Sequence, residues 1–544
     1  MYTARCSKTA RGGSVQLIED FNAFNDGTSF SADVCIIGAG AAGITIAREF
    51  LGTRFHVVVL EGGGLDPEAD SQKLFESEVV GLPHASIHDG RARVLGGTTT
   101  LWGGQALRFE DFDFQVRSWV PDSGWPIPRG ALDPYYERAE RVLQLGARIP
   151  FQDLCFSFGI EPPAFDQSKL YVECSRWSPT PNFGTTYRAE LKKAPNVSVL
   201  LHANATAVVT NQAAKTVENV EFRSLNGKKG IAKARFYVIC CGGIETARLL
   251  LASNRLEPNG VGNQNDLVGR YFQEHIHVNY GNILTKKRAH LQDVFESFFV
   301  GGLKHAPLVT MTQRMQVEKK LLSIHGIIAF EPSPDSGIAA MKKLFRAMIG
   351  RSFSNFTELR RLMGRALANP GELLRLAYRL SVQKRAGTPN QGPILFGAQC
   401  EMAPNPNSRV LLSEARDQLG MPRVKLDWRL SELERRTLSE FVKTFASEFE
   451  RLGLGAFDLE QIGFLDDPAA WVERAHDSAH HMGTTRMHES PQHGVVNPQC
   501  QVHGIANLYI GSSSVFPTSA RSNPTLTILA LCVRIADRLK QISS

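Results

Sequence analysis

The sequence predicts an α/β fold, α+β overall, because three widely separated segments repeat one pattern: an apolar strand, a glycine-marked turn, then a helix. The first is the apolar run 33–37, the turn Gly38 to Gly43 and a helical stretch over 44–51. The second is the run 236–239, the turn Cys240-Cys241-Gly242-Gly243 and a helix over 244–252. The third is the strand 507–510, the turn Gly511-Ser512-Ser513-Ser514 and a helix over 524–540. Strands that alternate with helices pair in parallel, so one sheet is expected to draw strands from both ends and the middle of the chain.

The first segment is the most specific. A second buried strand over 55–60, closed by Glu61, completes a βαβ unit around the G-x-G-x-x-G turn. Gly38 permits the tight turn and Gly40 lets a pyrophosphate approach the backbone. Ala42 continues the same turn, and Gly43 lets helix and strand pack closely. Glu61 lies 18 residues after Gly43, where a carboxylate accepts ribose hydroxyls. The domain is therefore Rossmann-like and binds a dinucleotide. A second nucleotide site has one candidate, Gly453-Leu454-Gly455-Ala456, which lacks the third glycine and follows no clear strand. Only one dinucleotide is supported.

A further glycine cluster runs from Arg93 through Gly96, Gly97, Thr98, Trp102 and Gly103 to Gly104. Its glycines would let backbone amides touch a phosphate or a flat ring, while the threonines offer hydroxyls; a plain loop is the other reading. Residues 203–208 read as a strand preceding the second segment, and Gly242 and Ser512 sit in the turns of segments two and three. The dinucleotide domain thus divides into 30–115, 195–280 and 471–544. The intervening 116–194 and 281–470 form a substrate domain, built on a β-sheet flanked by helices and including a basic helical segment at 341–385.

Composition excludes several classes. At 544 residues and 43% hydrophobic the chain can bury a large core in more than one folding unit, and 21% mixed charge argues against disorder. The first 30 residues hold Arg5, Lys8 and Arg11 but no apolar core, and no apolar run reaches the roughly 18 residues of a membrane span. Nine scattered cysteines without a Cys-x-x-Cys pair read as buried free thiols in a reducing cytoplasm. The net charge of +7 is concentrated: residues 341–385 carry eleven Lys or Arg against Glu358 and Glu372, leaving the remainder near neutral. That leaves no general basic surface for nucleic acid. The segment itself, with Leu373, Leu374, Ala377 and Leu380 at helical spacing, reads in two ways. It is either an amphipathic surface that docks on anionic lipid or on an electron-accepting partner, or a lid with solvated arginines.

The chemistry is expected near the C-terminus. His480 lies in the glycine-punctuated stretch Ser478 to Met487, and Asn523 opens the last helix. A neutral imidazole with a pKa near 6.5 is a suitable base for a hydroxyl proton, and Asn523 would bond the same hydroxyl and orient it. Asn523 also suits the N-cap of the helix, with Pro524 at N1 and Thr525 next. His481 is the alternative base; neighbours in an extended chain face opposite ways, so only one of the pair serves, and His480 is preferred. His476, His480 and His481 come with no His-Glu-x-x-His motif or paired carboxylates, so no metal is expected. His275 and His277 alternate on one strand-like run, and a structural role is as open as a functional one.

With these elements in this order the chain resembles the glucose–methanol–choline (GMC) oxidoreductases, flavoenzymes that oxidise alcohols. The resemblance rests on the fingerprint, the Gly96-Gly97 cluster, the run from Val238 to Leu251 with Glu245 and Arg248, the His480 turn and the Asn523-Pro524 helix. Gly124-Trp125-Pro126-Ile127, Asp133-Pro134-Tyr135-Tyr136, Gly269-Arg270-Tyr271-Phe272 with Glu274-His275, and Asn405 to Leu412 followed by Asp417 look closest to pyranose oxidase-like and bacterial sugar-oxidising members.

The resemblance implies that His480 is the catalytic histidine and Asn523 its partner. It implies that Gly38, Gly40, Gly43 and Glu61 hold the adenosine and pyrophosphate of FAD, and that the backbone of Val208 meets adenine. In pyranose oxidase a histidine before the cluster's tryptophan links covalently to FAD; Leu101 stands there in this chain, which implies non-covalent flavin. The implied reaction is oxidation of a CH–OH group of a sugar, glycoside or polyol, with oxygen, a quinone or a cytochrome taking the electrons. A non-sugar alcohol, such as a sterol or an aminoglycoside hydroxymethyl, is the alternative substrate. A non-catalytic binding protein of flavoprotein fold, like the Rab GDP-dissociation inhibitors, is the alternative class.

Overall fold

The computed structural model describes residues 3–4, 17–333, 336–349, 360–364, 370–457, 459–467 and 469–542. The rest of the basic segment, 350–359 and 365–369, lies outside the described residues. The chain alternates between two sheets. It enters the first with β1 (Ile18–Asp20), β2 (Thr28–Ile37), α1 (Ala41–Glu49) and β3 (Val57–Leu60). It crosses to the second with β4 (Leu170–Trp177). It returns with β5 (Val197–Leu201), β6 (Asn204–Thr210), β7 (Val217–Arg223), β8 (Lys229–Ile239) and α2 (Gly242–Ala252). It leaves again with β9 (Ile276–Leu284), β10 (Leu303–Met311), β11 (Ile324–Phe330), β12 (Ile394–Cys400) and α3 (Glu432–Arg451). Finally it comes back with β13 (Leu508–Ile510) and α4 (Thr525–Ile542).

The first sheet has the order β1-β5-β3-β2-β8-β7-β6, and β13 adds to β8. Every pair from β1 to β8, and β8 with β13, is parallel; β8, β7 and β6 form an antiparallel meander. The unbroken apolar runs explain the centre: Val34 to Ile37 and Val57 to Leu60 are buried on both faces, as a covered parallel strand requires. On one side α1 packs against α4, and Arg138 ties them by pairing with Glu49 and Asp537.

The second sheet, β9-β12-β11-β10-β4, is antiparallel. A capping box of Ser431 and Glu434 starts α3, which covers one face of this sheet, with Phe445 stacked on Phe396 at 3.8 Å between ring centroids. Trp177 of β4 and Gln399 of β12 look the other way, into the cavity between the two sheets.

The expected boundaries shift at three places. β1 joins the dinucleotide sheet before residue 30, and the short strand Gln105–Ala106 pairs with β4 of the other sheet. β9 carries the chain into the second sheet at Ile276 rather than at 281. That crossing leaves no mark in the sequence, because the residues around it form one continuous extended run.

Candidate active site

Between the sheets lies a cavity of about 640 Å³. Ile37, Leu60 and Cys240, at the carboxyl ends of β2, β3 and β8, line it. So do Ala41, Gly242 and Thr525, the first residues of α1, α2 and α4. Three helix N-termini therefore open on one crevice, at the place where open α/β sheets take their ligands.

Glycine shapes this half. Gly38 has φ of +99°, and a Cβ there would lie 2.7 Å from the carbonyl oxygen of Cys240. A Cβ on Gly43 would lie 1.9 Å from the carbonyl of Gly38, so helix and strand pack at backbone distance. A Cβ on Gly97 would lie 2.9 Å from Gly40 Cα: the second glycine cluster leans on the fingerprint turn, and together they make one cradle. Glu61, buried at the end of β3, accepts the Ala39 N–H through Oε2 and the Gly63 N–H through Oε1, each at 2.9 Å. Burial pushes its pKa up, against the pull of those N–H groups. Each oxygen keeps a lone pair for a hydroxyl.

Beside it, Glu245 receives Arg91, Arg93 and Arg248 at 2.8 to 3.1 Å, and Arg248 also holds Asp417 at 2.6 Å. Burial would raise the Glu245 carboxyl, but the three guanidiniums outweigh it and bring it to about 2. Arg93 Nε is buried without a partner, and a Cβ on Gly242 would meet nothing within 4 Å. Bared backbone, a ribose-type carboxylate and guanidiniums on the cavity wall fit a dinucleotide.

The structure brings most of the expected residues to this wall: Gly38, Gly40, Ala42, Glu61, Arg93, Gly97, Thr98, Trp102, Gly103, Gly242, Ser512, Pro524 and Thr525. Three lie off it. Gly43 is taken up by helix–strand packing, and a Cβ on Gly96 would meet Gly184 N at 2.5 Å. The Val208 N–H donates to the Ser253 hydroxyl at 2.9 Å, and Ala203, Asn204 and Ala205 line the cavity in its place.

Across the cavity stands His480. Ala479 before it has φ of +59°, a conformation that costs a non-glycine residue about 1–3 kcal/mol. The turn is held by Glu274, whose Oε1 accepts both the His480 N–H at 2.6 Å and the His275 N–H at 2.9 Å. His480 Nδ1 lies 2.9 Å from His275 Nδ1, and His275 Nε2 lies 3.1 Å from the carbonyl oxygen of Ser519. On the open side, Asn523 Nδ2 is 3.3 Å from His480 Nε2. Burial, with His275 adding to it, holds His480 well below the ordinary imidazole value, so it is neutral at neutral pH. Burial likewise brings His275 down to about 4.

The helix begins one residue later than expected. Ile528 N–H donates to Pro524 O at 2.9 Å, and α4 starts at Thr525, so Asn523 is not its N-cap. The Asn523 side chain has turned to His480 instead, and its Oδ1 is buried without a partner.

His481 faces the opposite way from His480. Its Nε2 lies 3.2 Å from Ser86 Oγ and 3.7 Å from Glu274 Oε2, in a buried cluster with His84. His481 also borders the cavity, and its carbonyl would meet a Cβ on Gly243 at 2.2 Å. His476 pairs with His277 across strands, so 476, 480 and 481 do not converge. The group that does converge is His84, Glu274 and His481, with side-chain N and O atoms within 4.8 Å. Sequence reasoning missed Glu274, His84, Ser519 and Gln399, and it left His275 undecided. The pair Glu274-His275 was visible only as a detail of family resemblance.

The GMC oxidoreductase family models match residues 182–277, the N-terminal domain, and residues 404–532, the C-terminal domain. The chain is similar to the fructose dehydrogenase large subunit of Gluconobacter japonicus, 22% identical over 94% of this chain and 98% of that one. It is similar to paromamine 6'-oxidase of Streptomyces fradiae, 24% identical over 93% and 90%. Among solved structures, formate oxidase shares the fold, with a TM-score of 0.56 at 16% identity over 95% of this chain and 99% of that one.

Proposed function

We propose that this chain, a member of the GMC oxidoreductase family, oxidises a CH–OH group of a sugar, glycoside or polyol to a carbonyl, with His480 as general base. The observation that carries the reading is the pair His480 Nε2 and Asn523 Nδ2, 3.3 Å apart on the wall of a cavity whose other wall is a dinucleotide cradle. Gly38, Gly40, Glu61, Gly97, Arg93 and Gly242 hold FAD without a covalent tether; Leu101, on the cavity wall, has no group to form one. When bound, the flavin supplies the two-electron acceptor for the carbinol hydride.

The chain's own residues handle the proton. The substrate hydroxyl donates to His480 Nε2, and the proton transfers to that atom as the C–O bond acquires double-bond character. Asn523 Nδ2–H bonds the same oxygen and fixes which hydroxyl reacts. Gln105, Trp177 and Gln399 on the far wall combine an aromatic face with amides, a surface suited to a polyhydroxylated ring. Among the relatives, fructose dehydrogenase carries a name of that substrate type, and paromamine 6'-oxidase one of the alternative, an aminoglycoside.

Oxygen, a quinone or a cytochrome takes the electrons onward. All eight described cysteines are free, which suits a reducing compartment such as the cytoplasm. Among the described residues no helix is long and apolar enough to cross a membrane. Leu374, Tyr378 and Val382, spaced i, i+4, i+8 on and just after the helix Pro370–Ser381, are 54 to 71% exposed within the basic segment. This surface suits peripheral contact with anionic lipid. The reading is tested by anaerobic bleaching of the bound flavin with a panel of sugars, glycosides and simple alcohols, followed by air. Bleaching by a sugar or polyol supports it, and bleaching by none overturns it. The speed of recovery separates oxidase from dehydrogenase.

A further inference from the structure

A base at His480 Nε2 needs a lone pair there, and an isolated imidazole favours the other tautomer, with its proton on Nε2. Three contacts constrain the proton positions here. The Ser519 carbonyl oxygen can only accept, so His275 Nε2, 3.1 Å away, carries a hydrogen. Burial holds the His275 ring neutral at neutral pH, so with its hydrogen on Nε2 its Nδ1 is bare and can only accept. His480 Nδ1, 2.9 Å from that atom, must therefore be the donor, which leaves His480 Nε2 without a hydrogen. Asn523 is consistent: its amide N–H group, not its oxygen, lies 3.3 Å from Nε2.

We infer that His275 is a positioning residue that imposes the Nδ1–H tautomer on His480, through a chain running from the Ser519 carbonyl through both imidazoles to a bare Nε2 facing the substrate. His275 does not line the cavity, so it acts only through His480. The parts of the chain are braced independently. Glu274 Oε1 takes the backbone N–H of both histidines. The Ser519 hydroxyl bonds the Met402 backbone at 3.2 Å, and the Arg521 carbonyl accepts Gln399 Nε2 at 2.9 Å. The rings meet nearly at right angles, with centroids 4.9 Å apart. The inference rests on the reading of His480 as base, and it adds which nitrogen is bare and what keeps it so.

The test is ¹⁵N NMR of the flavin-loaded protein carrying ¹⁵N-histidine, with the His480 signals assigned by their loss in His480→Gln. The expected wild-type spectrum shows His480 Nδ1 protonated and Nε2 bare. In His275→Ala the proton moves to Nε2, wholly or in part, and kcat falls about a hundredfold with little change in KM. In His275→Asn the Oδ1 replaces the accepting nitrogen, so the Nδ1–H tautomer and kcat within about tenfold of wild type are retained. A wild-type spectrum with the proton on Nε2, or an unchanged tautomer in His275→Ala, overturns the inference. If His275→Ala does not fold, the wild-type and His275→Asn spectra decide it. Failure of the base reading looks different: His480→Ala would still reduce its flavin, whatever the spectrum shows.

Discussion

The fingerprint turn and the histidine corner face each other across one cavity, yet they are built in opposite ways. The turn is local: Gly38, Gly40 and Gly43 lie within six residues, and what they supply is the absence of side chains. The corner is assembled from distant parts. Glu274 and His275 come from the crossing into β9, His480 from a strained turn some 200 residues on, and Ser519 and Asn523 from the approach to α4. The turn depends on space, and the corner depends on which atom carries a proton. Substitutions should therefore fail sterically in the first region and chemically in the second.

The largest effect is expected in the turn. Gly43→Ala would drive a Cβ to 1.9 Å from the Gly38 carbonyl, which the βαβ unit cannot absorb. The purified variant should be colourless or insoluble; a yellow protein with normal flavin content would show the turn to be less constrained than the contrast requires. In the corner, Asn523→Ala should keep its flavin and lose about 10- to 100-fold in kcat, the worth of one hydrogen bond to a developing charge. Loss of flavin instead would mean that Asn523 acts on the fold.

A further effect is on stability. His275 has its pKa lowered to about 4 in the fold, against an ordinary value near 6.5 unfolded. The unfolded chain then binds more protons in that window, so the contribution is complete above about pH 6.5 and is lost as pH falls toward 4. The stability advantage of wild type over His275→Asn should shrink by about 3 kcal/mol between those limits in chemical denaturation at fixed flavin. A constant difference would mean that His275 titrates normally.

This contrast also explains what could be read from the sequence. The parallel sheet was legible because covered strands must be continuous apolar runs and because a G-x-G-x-x-G turn between two of them has few other uses. His480 and Asn523 stood out because a histidine among glycines and an asparagine before proline are locally unusual. Val208 lies off the cavity wall, on the strand whose earlier residues Ala203, Asn204 and Ala205 line it, because a resemblance fixes a strand more firmly than the residue along it that meets the cavity. Asn523 was expected to cap α4, and the local signal was sound. His480, 43 residues earlier in the chain, offered its side chain a different partner. Glu274, His275 and Ser519 carry no local signal for their roles, since a carboxylate that holds two backbone N–H groups exists only after the crossing into β9 has formed.

In the proposed reaction His480 takes the substrate proton, while the dinucleotide half stands without it. Anaerobic stopped-flow mixing of wild type and His480→Ala, both with flavin bound, against the alcohol that bleaches wild type fastest tests it most directly. The expected result is equal flavin content and a reduction rate at least about 10²–10⁴-fold lower in the variant. Reduction within a few fold of wild type would contradict it.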